Sequence, residues 1–278
     1  MKALPTGLAF RLANASAALC QAAALLGLFA GSAPTRADAL PTPVALELVI
    51  AIDTSASVDA HEFTLQVEGI SRAFADREVI AAIESLAPAG MAVGLVQWSG
   101  PEAFTLAIPF NQVYDRRTAK AFGFLVSLTQ RRSTAGTTAM AYSLGRAAAL
   151  IDANEFAGDR RVIDVSVDGR NNTPPNVEAV RDRVVQLGIT INGLAILSDD
   201  PRLDIYYRSS LIGGQDAFVE VAGGFGEFAQ AIRRKLIREI YPPLSSISIH
   251  RHAAAELRQI PFSPSTRGVS ALASSRVR

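Results

Sequence analysis

Three features of the sequence predict an α/β fold built on a mostly parallel, six-stranded sheet. Short apolar runs rich in Val, Ile and Leu alternate with longer stretches whose apolar residues recur at helical spacing. Two of the runs, 91–98 and 103–109, are joined through Gly100-Pro101 too tightly for a crossover, so that pair is antiparallel. Oxygen-bearing residues gather where several apolar runs end, the place where open α/β sheets bind ligands.

The first 39 residues stand apart. Lys2 and Arg11 make a positive start, residues 12–31 are uncharged and rich in Ala and Leu, and Ala37-Asp38-Ala39 is a small-x-small cleavage site. This is the form of a secretory signal peptide, so the mature chain is expected to start near Leu40 in the periplasm or outside the cell. An uncleaved membrane anchor is the alternative, since the stretch is long enough to span. Lipoprotein anchoring is disfavoured because Cys20 follows Leu19 and more apolar sequence comes after it. Cys20 is the only cysteine, so the mature chain has no disulfide and no thiolate metal site. Removing Lys2, Arg11, Arg36 and Asp38 with the leader leaves 24 basic and 25 acidic residues, a net charge of −1. Such a balance creates no field for nucleic acid or anionic lipid. No second apolar run reaches membrane-spanning length, so no stable insertion is expected after cleavage.

The elements follow in order. Residues 44–53 (VALELVIAID) read as a buried strand. Asp59 then caps a helix, with Glu62 completing a capping box. Phe63, Val67, Ile70 and Phe74 set its inner face, and it runs to about Leu86 with a break near Asp76. Strands 91–98 and 103–109 follow, then helices over 116–129 and 138–153 separated by the polar loop 130–136. Residues 161–167 (RVIDVSV) form a strand that ends at Asp168-Gly169. A helix over 177–187 turns Val177, Val180 and Val184 inward. Strand 189–197, a short helix over 204–210, strand 216–222 and a helix over 227–240 complete the pattern. The remainder, 241–278, is rich in Ser, Arg, Ala and Pro with little periodicity and reads as a disordered tail.

Chemistry concentrates at three strand or helix ends: Asp53-x-Ser55-x-Ser57, Gly136-Thr137-Thr138 and Asp168-Gly169. Two carboxylates and three hydroxyls converging at one sheet edge make an oxygen-only site, which suits a hard cation such as Mg²⁺. The bland reading is local: Ser55, Ser57 and Asp59 cap one helix, Thr138 caps another, and Asp168-Gly169 is a turn. That reading explains each piece and leaves their convergence accidental. His61 belongs to an exposed first helical turn, while His250 and His252 lack a third ligand. Gly223-Gly224-Phe225-Gly226 departs from the dinucleotide fingerprint, and no G-x-S-x-G, Walker or H-E-x-x-H pattern occurs. Trp98 reads as core, and Tyr206-Tyr207 as a partner surface or a half-buried helix.

Taken in order at the ends of these elements, D-x-S-x-S, G-x-T and D-G resemble the metal-ion-dependent adhesion site of the von Willebrand factor type A (vWA) domain. The resemblance covers about 44–240 and is nearest to an uncharacterised exported bacterial branch. It implies a doubly wound, Rossmann-like sheet with one antiparallel edge strand. It further implies that Ser55 and Ser57 bind the metal directly, that Thr138 does so in the ligand-bound state, and that Asp53 and Asp168 act mainly through water. Thr138 is preferred to Thr137 because Leu144 stands at the spacing family helices show. Val167 is a departure, standing where many relatives carry Thr or Gly.

The leading expectation is an exported, non-enzymatic binding module that uses Mg²⁺ or Mn²⁺ and takes a protein ligand offering an Asp or Glu carboxylate. A metal-assisted phosphoester hydrolase is the enzymatic alternative, though no His, Lys or Cys is placed near the strand ends as a base or nucleophile. A metal-free structural subunit of an envelope complex is the other.

Overall fold

The computed structural model describes residues 40–132 and 136–241. The expected signal peptide and the expected tail beyond Tyr241 lie outside the described residues.

The element order is β1 (Thr42–Asp53), α1 (Ala60–Ala75), α2 (Arg77–Glu84), β2 (Met91–Trp98), β3 (Phe104–Val113), α3 (Arg116–Ser127), α4 (Met140–Ala153), β4 (Phe156–Val167), α5 (Val177–Gln186), β5 (Ile189–Ile196), α6 (Leu203–Tyr206), β6 (Val219–Ala222) and α7 (Phe228–Ile240). The six strands form one sheet in the order β3-β2-β1-β4-β5-β6. All neighbours are parallel except β2 and β3. Strand order reverses direction between β1 and β4, so the doubly wound topology opens a crevice beyond their carboxyl ends.

Alternation along the strands sorts side chains to two faces. Leu46, Leu48, Ile50 and Ile52 pack with α1, α2, α3 and α7. Val49 and Ala51 pack with Ile163, Val165 and Val167 of β4 beneath α4, α5 and α6. On the first face α1 approaches its neighbours closely at two glycines. A Cβ at Gly69 would meet the Phe228 ring at 2.8 Å, and one at Gly123 would meet the Ser71 carbonyl at 2.9 Å.

Local chemistry sets the helix starts. Asp59 caps α1 through a complete capping box with Glu62, with 2.8 Å bonds in both directions. Asp76 is at once the residue that ends α1 and the cap of α2, accepting from the Glu78 and Val79 amides. The expected break in the long helix is therefore a capped corner.

Four elements differ from expectation at their ends. β3 runs to Val113 because Asn111 to Val113 pair with Met91 to Val93. β4 begins at Phe156, five residues before its apolar run, because Thr42 to Leu46 of β1 run beside it and offer it a partner. β6 starts only at Val219, after a turn in which Gly214 and Asp216 adopt positive φ. The short helix expected over 204–210 is α6 followed by a single π-helical turn, Tyr207–Leu211.

Beneath α7 lies a charged cluster cut off from water. Lys235 Nζ stands 2.7 Å from Asp164 Oδ1 and 2.6 Å from Glu239 Oε1, and Lys235 and Asp164 are fully buried. Asn192 Nδ2 donates to Glu239 Oε1 at 2.9 Å, and Asn192 Oδ1 accepts from the Phe218 amide.

Candidate metal centre

β1 ends at the switch point with Asp53 fully buried. Its carboxylate accepts from the Ser55 amide at 2.7 Å and from the Ser55 hydroxyl at 2.8 Å. Ser55 Oγ lies 3.2 Å from Ser57 Oγ, and Ser57 Oγ donates to Asp168 Oδ1 at 3.0 Å. A chain of oxygens thus links the end of β1 to the end of β4, across 111 residues of sequence in its last step. Ser57 is exposed, so the chain opens to solvent at one end.

These bonds test the capping reading. Asp59 alone caps α1, while both serine hydroxyls turn toward carboxylates. Thr138 is not a cap either, because α4 starts at Met140 and its N-cap, Ala139, makes no side-chain bond. Thr138 is buried on the Asp168 side of the crevice: a Cβ built on Gly169 would lie 3.7 Å from its hydroxyl. The Thr137 hydroxyl instead faces Gly100, and the residue is exposed. All five expected site residues therefore gather at one crevice.

The donor set fits a small hard cation. Each serine has one hydroxyl proton, and when both protons go to the carboxylates nothing remains to donate across the 3.2 Å Ser55–Ser57 contact. Neighbouring ligands of an octahedral Mg²⁺ lie about 3 Å apart, given metal–oxygen distances near 2.1 Å. The 3.2 Å spacing of the Ser55 and Ser57 hydroxyls is close to that edge. Burial pushes the Asp53 carboxyl up to about 7, against the pull of its bonds from Ser55. Burial raises Asp168 as well, opposed by the hydrogen bond from Ser57. Neither carboxylate makes an ion pair within 4.0 Å among the described residues. Two desolvated acids with hydroxyl partners hold a position that a cation would relieve. No group of three His, Cys, Asp or Glu side chains suited to a metal occurs among the described residues.

Several supporting residues had no signal in local sequence. Arg131 donates to the carbonyls of Thr54 and Ser55 at 3.1 and 3.0 Å, drawing the loop before α4 onto the loop after β1. Gln66 Nε2 donates to the Asp53 carbonyl at 3.3 Å. Tyr207 is buried, and its hydroxyl reaches the carbonyls of Val167 and Gly169 on either side of Asp168. Asn171 and Asn172 bond to the backbone around Thr138. The asparagines could have been flagged as polar residues just past a strand end; Arg131 could not, because its partners are carbonyls 76 and 77 residues away. Val167 and Trp98 lie in the core, and His61 is exposed on α1.

A family model described as "Protein of unknown function (DUF1194)" matches residues 43–244. The chain belongs to that family. Its fold is that of the vWA domain, with the sheet order and antiparallel edge strand described above. Among solved structures it is similar to proximal thread matrix protein 1 from the mussel byssus, with TM-score 0.54 and 14% identity over 72% of this chain and 49% of that one. A second structure of that protein, whose MIDAS motif is occupied by zinc, gives TM-score 0.52 and 14% identity over 72% and 49%. The pilus adhesin SpaC from Lactobacillus rhamnosus GG gives TM-score 0.51 and 14% identity over 73% and 31%. The chain thus spans about half the length of the mussel protein and a third of the adhesin. No curated protein matches it. No helix among the described residues is long and apolar enough to cross a membrane.

Proposed function

We propose that this DUF1194 protein is an exported protein-binding module whose capture of a partner depends on a divalent cation, Mg²⁺ or Mn²⁺. When bound, the cation would supply an electrophilic position for an Asp or Glu carboxylate of the partner. Ser55, Ser57 and Thr138 would hold it directly, with Asp53 and Asp168 acting mainly through water. The observation that carries this reading is the Asp53–Ser55–Ser57–Asp168 oxygen chain at the switch point, with its 3.2 Å contact between two hydroxyls.

The residues divide the work. Asp53 orients Ser55 through two hydrogen bonds, one to its amide and one to its hydroxyl. Asp168 orients Ser57. Because the direct ligands are neutral hydroxyls, the cation would keep much of its charge for an outside carboxylate, and exclusion of water on docking would strengthen that bond. Two similar folds support the reading: the mussel protein has been solved with zinc in its MIDAS motif, and the Lactobacillus protein is a pilus adhesin. Residues 1–39 would act as the cleaved leader that delivers the chain to the periplasm or beyond. The hydrolase alternative gains no supporting observation, since the one histidine among the described residues, His61, points to solvent.

Calorimetric titration of Mg²⁺ and Mn²⁺ into the mature protein tests the reading. Saturable binding in the wild type, weakened in Asp53→Ala and lost in EDTA, is expected. Heats indistinguishable from dilution, with a melting temperature indifferent to either ion, would remove the cation and leave a metal-free structural subunit as the better account.

A further inference from the structure

We propose that Asn172 is the positioning residue that sets Thr138 at the metal centre, with Asn171 holding the helix behind it. This rests on the cation-binding reading above and adds the device that aims its most distant ligand.

Thr138 belongs to no regular element. It precedes α4, whose own N-cap makes no side-chain bond, so the first amides of that helix depend on partners from elsewhere. Those partners come from the loop after β4. The Thr138 amide donates to Asn172 Oδ1 at 2.8 Å, and the Asn172 amide donates back to the Thr138 carbonyl at 3.1 Å. One asparagine thus holds the donor and the acceptor of one residue's backbone, as a neighbouring strand would. Thr173 Oγ1 donates to the same Asn172 Oδ1 at 3.1 Å, which fixes which way the Asn172 amide faces. Next to it, Asn171 Oδ1 accepts from the Ala141 amide at 3.2 Å, doing for α4 what Ala139 cannot. Asn171 Nδ2 donates to the carbonyls of Thr173 and Pro175, so its orientation is fixed as well.

Asp168 lies four residues before Asn172 on the same loop. The clamp therefore joins Thr138 and Asp168 into one unit, although 30 residues separate them in sequence. The Ala139 amide adds a bond to the Ser99 carbonyl at 2.9 Å, which steadies the far side of Thr138 but does not tie it to the Asp168 loop. Asn172 thus sets Thr138 against the Asp168 loop, while Arg131 and the bond from the Ala56 amide to the Gly136 carbonyl at 3.4 Å hold the same segment against the serine loop.

The consequence is a cation selectivity. Mg²⁺ demands near-ideal octahedral geometry at about 2.1 Å, whereas Ca²⁺ accepts irregular shells with longer bonds. A loosened Thr138 should cost Mg²⁺ more than Ca²⁺. A general loss of stability would lower both affinities together and leave their ratio unchanged.

The test titrates Mg²⁺ and Ca²⁺ separately into wild type, Asn172→Ala and Asn172→Asp, and follows hydrogen exchange at the Thr138 amide in metal-free protein. Asn172→Asp keeps the acceptor, so it also serves if the alanine variant folds poorly. The expected result for Asn172→Ala is a Mg²⁺-to-Ca²⁺ affinity ratio reduced about tenfold and Thr138 exchange accelerated at least tenfold. Asn172→Asp should restore both. An unchanged ratio with unchanged exchange in Asn172→Ala would overturn the proposal. If the wild type binds neither ion, the cation reading falls, and exchange alone judges the clamp: protection in wild type and Asn172→Asp but not in Asn172→Ala sustains it, and equal exchange in all three overturns it.

Discussion

Two buried aspartates on this sheet, Asp53 and Asp164, meet the same physical problem in different ways. Burial pushes each carboxyl up to about 7. Asp164 sits mid-strand on β4, where α7 covers the sheet and can deliver Lys235 directly onto it. Asp53 sits at the end of β1, where only loops arrive, and its direct partners are the amide and hydroxyl of Ser55. One cluster carries its cation within the fold. At the other, hydroxyls face the carboxylates, and the Arg131 guanidinium, bonded to the Thr54 and Ser55 carbonyls, pulls Asp53 down only weakly through its charge. What compensates the charge differs between the structural acid cluster and the candidate binding site, since desolvation alone marks both.

The Asp164 cluster is itself unbalanced. Two acids, Asp164 and Glu239, face one lysine. Desolvation and the neighbouring Glu239 both push Asp164 upward, and Lys235 pulls it down. Arg160, half-buried, donates to the Glu239 and Ile240 carbonyls and so serves the end of α7, while its charge lies outside the cluster's direct contacts.

The largest effect expected from breaking this comparison is Lys235→Met. It leaves two acids facing each other in a dry interior, and truncating one member of a buried ion pair costs about 3–5 kcal/mol. Urea unfolding should show that loss with Mg²⁺ affinity unchanged. A loss under about 1 kcal/mol would mean that water already reaches the cluster.

Next comes pH. The folded Asp164 keeps a proton that the unfolded chain releases above its ordinary value of 3.8. Stability from this group is therefore fully present below about pH 4, declines as pH rises toward 7, and levels off above it. Its slope is at most roughly 1.4 kcal/mol per pH unit. Asp164→Asn should flatten the decline by about one proton when urea midpoints are compared between pH 4 and 8. An identical slope in the variant would assign the proton elsewhere in the cluster.

At the other aspartate the effect is on binding. Asp53→Ala should weaken Mg²⁺ by about 10–100-fold, the usual cost of losing a group that orients metal ligands. The metal-free protein should be no less stable than wild type, because a desolvated carboxyl has been removed. A large drop in its melting temperature would show that Asp53 serves the core as Asp164 does.

The smallest effect sharpens the boundary of the site. Asp59→Ala removes only the cap of α1 and should cost about 1 kcal/mol, with no change in Mg²⁺ affinity. Ser57→Ala should do the reverse, weakening Mg²⁺ while the unfolding midpoint stays within error. Equal loss of affinity in both variants would mean that capping and ligation are one feature after all.

Patterns that depend on near neighbours were legible. β2 lies where its apolar run places it, the capping box falls on Asp59 and Glu62, and the break at Asp76 is real. The five candidate site residues could be picked out because each stands at or just beyond an element end, and element ends follow from local pattern. The first residues of β4, Phe156 to Arg160, could not be read as strand, since they have no apolar run and pair only because β1 extends beside them. Lys235 stood in a run of charged residues that reads as a solvated helix face. Asp164, a lone charge inside an apolar strand, was a signal that a buried partner was needed, but nothing in the sequence said which residue would supply it.

The sequence by itself determined most of the helices and strands and the order of the three motif pieces, because propensity, periodicity and composition act over a few residues. Only the tertiary structure decided that Ser57 meets Asp168, that Asn172 holds Thr138 and that Lys235 turns inward to two acids. Apart from the Lys235–Glu239 contact within α7, those pairings join residues far apart in the chain, and their geometry exists only once the sheet has brought the ends of β1 and β4 together and α7 has closed over its face.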